Sequence, residues 1–172
     1  VRAMSNDWRF DPALDRARHA AYAPGEFVGQ EGFMTAAEIV ALAERAGVGP
    51  ATEILDVCCG AGGPGRFIAR ELGGAYLGVD TSTTAIGLAR ERTNGHPCRF
   101  AHAQVPPLPA GEHDVVLLLE TMLAFPDKAA LIHAVSGALR PGGRFAFTLE
   151  AARALSTAEH TTMPAAGTVW LT

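Results

Sequence analysis

Residues 53–68 leave the chain few choices of fold. Glu53-Ile54-Leu55-Asp56-Val57 is a short apolar run carrying one carboxylate. The eight positions from Cys58 to Gly65 hold four glycines, and Phe67, Ile68 and Leu72 then fall on one side of a helical period. This order reads as a strand, a tight turn and the start of a helix. Glycine suits such a turn because it takes positive φ and lets a ligand or strand approach without a Cβ in the way. The helix that follows points its unbonded N–H groups and positive dipole end over the turn, where an anionic group is the natural occupant.

A second apolar run, Tyr76-Leu77-Gly78-Val79, ends on Asp80, twenty positions after Gly60. A carboxylate there can accept two hydrogen bonds from a ribose diol. Two ligands compete at this point. Gly60-x-Gly62-x-x-Gly65 fits a dinucleotide fingerprint, which alone is a weak signal. Asp56, at the mouth of the turn, tips the choice: it would repel a pyrophosphate and attract an ammonium and a sulfonium. S-adenosylmethionine carries both cations, and its carboxylate suits the helix N-terminus.

The set Asp56-x-Cys58-Cys59-Gly60-x-Gly62-Gly63 with Asp80 resembles the first two motifs of class I S-adenosylmethionine-dependent methyltransferases. The resemblance continues through Asp114-Val115-Val116-Leu117-Leu118-Leu119-Glu120 and Leu139-Arg140-Pro141-Gly142-Gly143-Arg144-Phe145, covering roughly residues 27–150. It implies cofactor contacts from Asp56, Cys58, Gly60, Gly62, Asp80 and Thr81, with S-adenosyl-L-homocysteine as product. The family's first glycine is Cys58 here, which the turn accommodates if its φ is negative. The residue ending strand three is commonly an acid that receives the adenine amino group. Here it is His102, expected either against the adenine, with the N–H of Ala103 or Gln104 reaching a ring nitrogen, or facing solvent.

Five helix-linked strands in this order predict an α/β, doubly wound, Rossmann-like parallel sheet of order 3-2-1-4-5 with N-terminal helices. Val115 to Leu119 is continuously apolar, as a central strand covered on both faces requires. The division expected is a helical lid segment over 1–34, the cofactor-binding domain over 35–150 and an incomplete acceptor region over 151–172. The family normally continues into strands six and seven against strand five; only Thr168-Val169-Trp170-Leu171 reads as a further strand, so missing material is expected.

Helix signals punctuate the chain. Asp11-Pro12 starts one with an apolar edge of Leu14, Ala17 and Ala21; Thr35 and Glu38 form a capping box with Met34 and Ile39 as staple and Gly47 as stop. Thr81 or Ser82 caps the helix of Ile86, Leu88 and Ala89. Asp127 caps another with Leu131, Ile132, Val135 and Leu139 as its apolar face, ended by Pro141-Gly142-Gly143. Strand five places Phe145, Phe147 and Leu149 on one face and Arg144, Ala146 and Thr148 on the other. Tyr22, Phe27 and Gln30 either border the cofactor and acceptor or pack the N-terminal helices. Glu120 closes the fourth strand, where it either acts on the acceptor or the sulfonium, or bonds to nearby backbone. Glu120 and His160 are the candidate bases, with His19 behind them; in-line transfer needs one only if the acceptor must lose a proton.

Composition narrows the partner. The 172 residues suit a single domain, and 48% hydrophobic with 19% charged residues is a globular balance. A net charge of −4 with no Lys/Arg cluster argues against nucleic acid and anionic membrane. A small-molecule acceptor is expected, and a homodimer is allowed. Three cysteines without C-x-x-C spacing argue against a disulfide framework and a zinc site, and point to reduced thiols in the cytoplasm. No signal peptide or run of about 18 apolar residues is read. The remaining alternatives are an NAD(P)-dependent oxidoreductase and a catalytically silent cofactor-binding domain.

Overall fold

The computed structural model describes residues 9–149 except 94, 96 and 110. Five parallel strands form one sheet: β1 (Glu53–Val57), β2 (Ala75–Asp80), β3 (Cys98–His102), β4 (His113–Leu118) and β5 (Leu139–Phe147), in the spatial order β3-β2-β1-β4-β5. β1 is central, with Asp56 opposite Gly78 of β2 and Leu117 of β4. The sheet order expected from the sequence is the one found.

Alternation along β1 assigns the two cores. Ile54 faces α2 (Ala36–Arg45), α3 (Gly63–Glu71) and α4 (Thr83–Glu91), where Ile39, Ala43, Ile68, Ile86 and Ala89 bury against it. Leu55 and Val57 face the other layer, built on Leu131, Val135 and Ala138 of α5 (Lys128–Ala138). Covering both faces removes every aliphatic side chain of β1 from water, which is why the strand reads as an apolar run and not an alternating one.

The caps that delimit the helices are made. Asp11 accepts from the Ala13 N–H at the start of α1 (Pro12–Ala21), and the Thr35–Glu38 capping box is complete in both directions. Ser82 caps α4 and Asp127 caps α5. Arg144 of β5 donates to the Ala46 carbonyl at 3.1 Å, closing the C-terminus of α2 from across the fold.

Three details differ from the sequence reading. Leu139 and Pro141-Gly142-Gly143 belong to β5, because α5 already ends at Ala138 and the strand begins without an intervening turn. Ile132 is 53% exposed: it lies about 100° round the helix from Leu131, off the 131/135/138 stripe that meets the sheet. No residue of α1 is buried, and of its expected apolar edge only Leu14 is half-covered. On β5, Phe145 packs into the second core, whereas Phe147 and Leu149 are largely exposed. The expected strand at 168–171 lies outside the described residues. No helix among the described residues is long and apolar enough to cross a membrane.

Candidate functional site

The C-terminal ends of β2, β1 and β4 lie side by side and open onto a cavity of about 600 Å³, the position where parallel sheets of this kind collect ligands. The turn after β1 forms its floor. Cys58, Gly60 and Gly62 take φ of +64°, +55° and +71°. The negative φ expected of Cys58 is therefore corrected: the turn demands the left-handed region at all three positions, and an L side chain there costs about 1–2 kcal/mol. Among the described residues Cys58 and Glu120 (φ +55°) are the non-glycines with positive φ, and both line the cavity. Strain of this kind collects where geometry serves a site.

The turn's N–H groups are already engaged. The Gly60 N–H donates to Asp80 Oδ2 at 2.9 Å, and Asp80 Oδ1 accepts from Ser82 N–H at 2.8 Å. The Ala61 N–H donates to Glu31 Oε1 at 3.2 Å, and the other oxygen of Glu31 lies 3.5 Å from the Arg9 guanidinium. Two N–H groups of the turn are thus held by acids of the chain itself. Gly62 starts α3, and a Cβ there would come within 2.5 Å of the Phe100 ring. A Cβ at Gly65 would collide with the ring and hydroxyl of Tyr76, so the third glycine of the fingerprint serves helix-to-strand packing.

Asp56 is 2% exposed and its Oδ2 accepts a hydrogen bond from the Tyr76 hydroxyl, also fully buried. Burial pushes the Asp56 carboxyl up to about 7; the Tyr76 bond opposes that rise and the nearby Asp80 charge adds to it. Burial also raises the Cys58 thiol to about 12 and raises Cys59, so both sit as neutral thiols and not as nucleophiles.

A backbone strap formed by residues 25–34 closes one side. Glu120 Oε1 accepts from the Phe33 N–H at 2.7 Å and Oε2 from the Met34 N–H at 3.1 Å. Four carboxylates, those of Glu31, Asp56, Asp80 and Glu120, therefore line one cavity, with Arg9 as the one Lys or Arg among its lining residues. Among the described residues no group of three or more His, Cys, Asp or Glu is arranged to hold a metal ion.

The sequence model of the methyltransferase domain family matches residues 54–143, just over half the chain, and spans the turn, Asp80 and all five strands as far as the first part of β5. The chain belongs to the methyltransferase domain family. Methyltransferase GfsG of Streptomyces halstedii is 31% identical over 111 residues, 61% of this chain and 40% of that protein. Phosphoethanolamine N-methyltransferase 1 of Arabidopsis thaliana is 32% identical over 122 residues, 69% of this chain and 24% of that protein. The chain thus spans less than half the length of these curated relatives. Among solved structures, a SAM-dependent methyltransferase from Thiobacillus denitrificans in complex with S-adenosyl-L-homocysteine superposes with a TM-score of 0.55 at 22% identity, covering 63% of this chain and 46% of that one. The [4+2]-cyclase SpnF superposes with a TM-score of 0.63 at 22% identity, covering 79% and 54%. These likenesses establish the fold; a fold alone does not specify chemistry.

Within this methyltransferase domain, Asp56, Cys58, Gly60, Asp80 and Thr81 line the cavity, as do Gln30 and Glu120. Gln30 is 3% exposed and spends its amide on Val28, Glu26 and Met34 backbone, which makes it a brace of the strap. Gly62 shapes the turn from beneath. His102, Ala103 and Gln104 fall outside the cavity lining: the His102 ring nitrogen lies 3.1 Å from the Thr81 carbonyl, and the Ala103 N–H is spent on the Asp80 carbonyl. That N–H is therefore not free for an adenine nitrogen. Tyr22 donates to the Gly32 carbonyl and packs with Phe27, which also meets His19, so these aromatics brace the strap from behind. His160 lies outside the described residues. The sequence reading missed Glu31, Arg9 and Tyr76. Glu31 is flagged only by its place between Gly29 and Gly32, and Tyr76 only as a hydroxyl in an otherwise aliphatic strand.

Proposed function

We infer that this domain binds S-adenosylmethionine and moves its methyl group to an oxygen, nitrogen or carbon nucleophile of a small molecule. The observation that carries the reading is the charge of the cavity: four carboxylates face one guanidinium across about 600 Å³. Such a lining attracts a ligand bearing an ammonium and a sulfonium and repels the pyrophosphate of a nicotinamide dinucleotide. When bound, the sulfonium supplies an electrophilic methyl group.

The residues at hand divide the remaining work. Asp80 keeps lone pairs on both oxygens beyond its two backbone bonds and is suited to a ribose diol. Asp56, buried near the end of β1, suits the ammonium. The strap of residues 25–34, pinned by Glu31 and Glu120, shields the cavity from water; positioning and exclusion of water supply much of the acceleration in a direct displacement. Because Glu120 holds two backbone N–H groups, it serves first as that pin and only on release as a base for the acceptor. A small-molecule acceptor is supported by relatives named for such substrates, among them tocopherol O-methyltransferase of Arabidopsis thaliana at 30% identity.

Calorimetry of the chain with S-adenosylmethionine, S-adenosylhomocysteine and NAD tests the reading. Binding of the two sulfur nucleosides without NAD is expected; binding of NAD alone overturns it.

A further inference from the structure

Tyr76 is fully buried in the strand next to β1, and its hydroxyl reaches Asp56 across the sheet. The arrangement is built from both sides. Gly65 lacks the Cβ that would displace the phenol, and Phe100 packs on the ring at a centroid distance of 5.7 Å. A tyrosine hydroxyl donates one hydrogen bond, and here the acceptor is the one buried carboxylate that lines the cavity. The bond engages Oδ2 and leaves Oδ1 outside it.

Every other group packed round Asp56 either works against its charge or leaves it unaided. Asp80, from the end of β2, repels it, and Cys58 and Cys59 are neutral thiols. Leu117, its neighbour in β4, is apolar. Arg66 of α3 interacts with Tyr76 and spends a guanidinium N–H on the Ala61 carbonyl. Burial without a donor would leave the carboxylate protonated and without attraction for a cation.

We propose that Tyr76 is a positioning residue for cofactor binding, holding Asp56 in place and in its charged form so that the carboxylate can receive the ammonium of the ligand. This rests on the S-adenosylmethionine reading above, and it adds a residue outside the glycine turn to that site. It also gives the binding a pH signature: affinity rises as pH rises through the Asp56 titration near 7. Removing the hydroxyl moves that titration upward by about 1–2 pH units, the equivalent of one hydrogen bond to a charged group.

The test compares Tyr76→Phe with the wild-type chain by calorimetry with S-adenosylmethionine from pH 6 to 9.5. The ligand's own amine titrates alike in both, so the ratio of their dissociation constants isolates the protein. The expected loss is about 10- to 100-fold at pH 6, closing to within about twofold at pH 9.5. A loss that is the same at every pH would make Tyr76 merely structural and overturn the proposal. In an Asp56→Asn background the same substitution should give a flat ratio; a surviving pH dependence would also overturn it. A second measurement needs no ligand: the Asp56 carboxyl, titrated by carbon NMR in both chains, should move upward in Tyr76→Phe. A carboxyl that does not move sinks the proposal, whereas a moving carboxyl in a chain that binds no S-adenosylmethionine would sink the cofactor reading instead.

Discussion

Glu120 is the residue whose two readings, strand-end pin and catalytic carboxylate, separate most cleanly by experiment. Its oxygens accept from Phe33 N–H at 2.7 Å and Met34 N–H at 3.1 Å, and Gly32 makes room for the carboxylate by lacking a Cβ. Phe33 as a residue is 85% exposed, so its amide has little shelter besides Glu120. Glu120→Gln keeps one acceptor oxygen and turns the other into a donor, losing one of the two bonds and the charge assistance of the other. A bond to a charged group contributes about 1.5–3 kcal/mol when buried, and about 1–2 kcal/mol is the fitting figure for this half-solvated pair. At about 1.4 kcal/mol per tenfold, amide exchange at Phe33 and Met34 should accelerate roughly 5- to 30-fold. Hydrogen exchange read by NMR at those two amides, with α2 amides as internal reference, makes the measurement without knowledge of the acceptor. Unchanged protection at both amides would refute the pin, and if turnover fell all the same, the carboxylate would belong to the chemistry.

Other outcomes follow from the same geometry. Asp80→Ala removes the acceptor for Gly60 and Ser82 N–H together with the expected ribose contact, and should weaken S-adenosylmethionine binding by roughly 1–3 kcal/mol in calorimetry; an unchanged dissociation constant would remove Asp80 from the site. Cys58→Gly relieves a left-handed side chain at about 1–2 kcal/mol and returns about 0.5–1 kcal/mol of that through the looser unfolded chain. The net gain should raise the melting temperature by about 1–4 °C, and a lower value would show that thiol packing outweighs the strain. His113 is buried, neither ring nitrogen has a partner among the described residues, and burial lowers its pKa. Its neutral ring is favoured in the fold, so the contribution is complete above about pH 6.5 and is lost as pH falls below that value. Asp56 carries the opposite sign, because its raised pKa favours the fold at low pH. The effect of His113 is therefore read as the difference between the wild type and His113→Phe in denaturant titrations from pH 7 to 5. A difference that is flat with pH would dismiss the argument.

The sheet was legible because its signals are local and mutually consistent. β1, β2 and β4 are largely apolar runs, α1, α2, α4 and α5 carry their own caps, and the turn between β1 and α3 announces itself by glycine spacing. Strand order then follows from right-handed crossovers. The errors fall where a local signal has two outcomes. Pro141-Gly142-Gly143 reads as a break and is instead absorbed into β5, and Ile132 continues an apolar stripe by spacing yet points away from the sheet. At the site, charge was legible and pairing was not. Asp56, Asp80 and Glu120 stand out as strand-end acids, but nothing in the sequence says that Glu120 meets backbone some 87 positions earlier, or that Tyr76 reaches Asp56 across twenty. The phenol–carboxylate pair depends on the absent Cβ at Gly65, a contact between two elements that no periodicity encodes.

This pairing changes how the glycine turn works. A helix N-terminus over such a turn is ordinarily an anion site because its N–H groups stand unbonded. Here the Gly60 and Ala61 N–H groups are met by Asp80 and Glu31 before any ligand arrives. Those two turn N–H groups are thus satisfied from within, and what the cavity presents beside them is the negative charge of the acids that satisfy them. A phosphate reaching the Gly60 or Ala61 N–H would have to displace a carboxylate and then sit beside the other acids of the cavity. A cation displaces nothing and gains from Glu31, Asp80 and Glu120, and from Asp56 as its carboxyl ionises near pH 7. On the S-adenosylmethionine reading, the preference for a sulfonium-bearing ligand comes from the strap and the strand ends together. Glu31 and Glu120 pin the strap and line the cavity, so neutralising either acid loosens the strap and lowers the cavity's charge together.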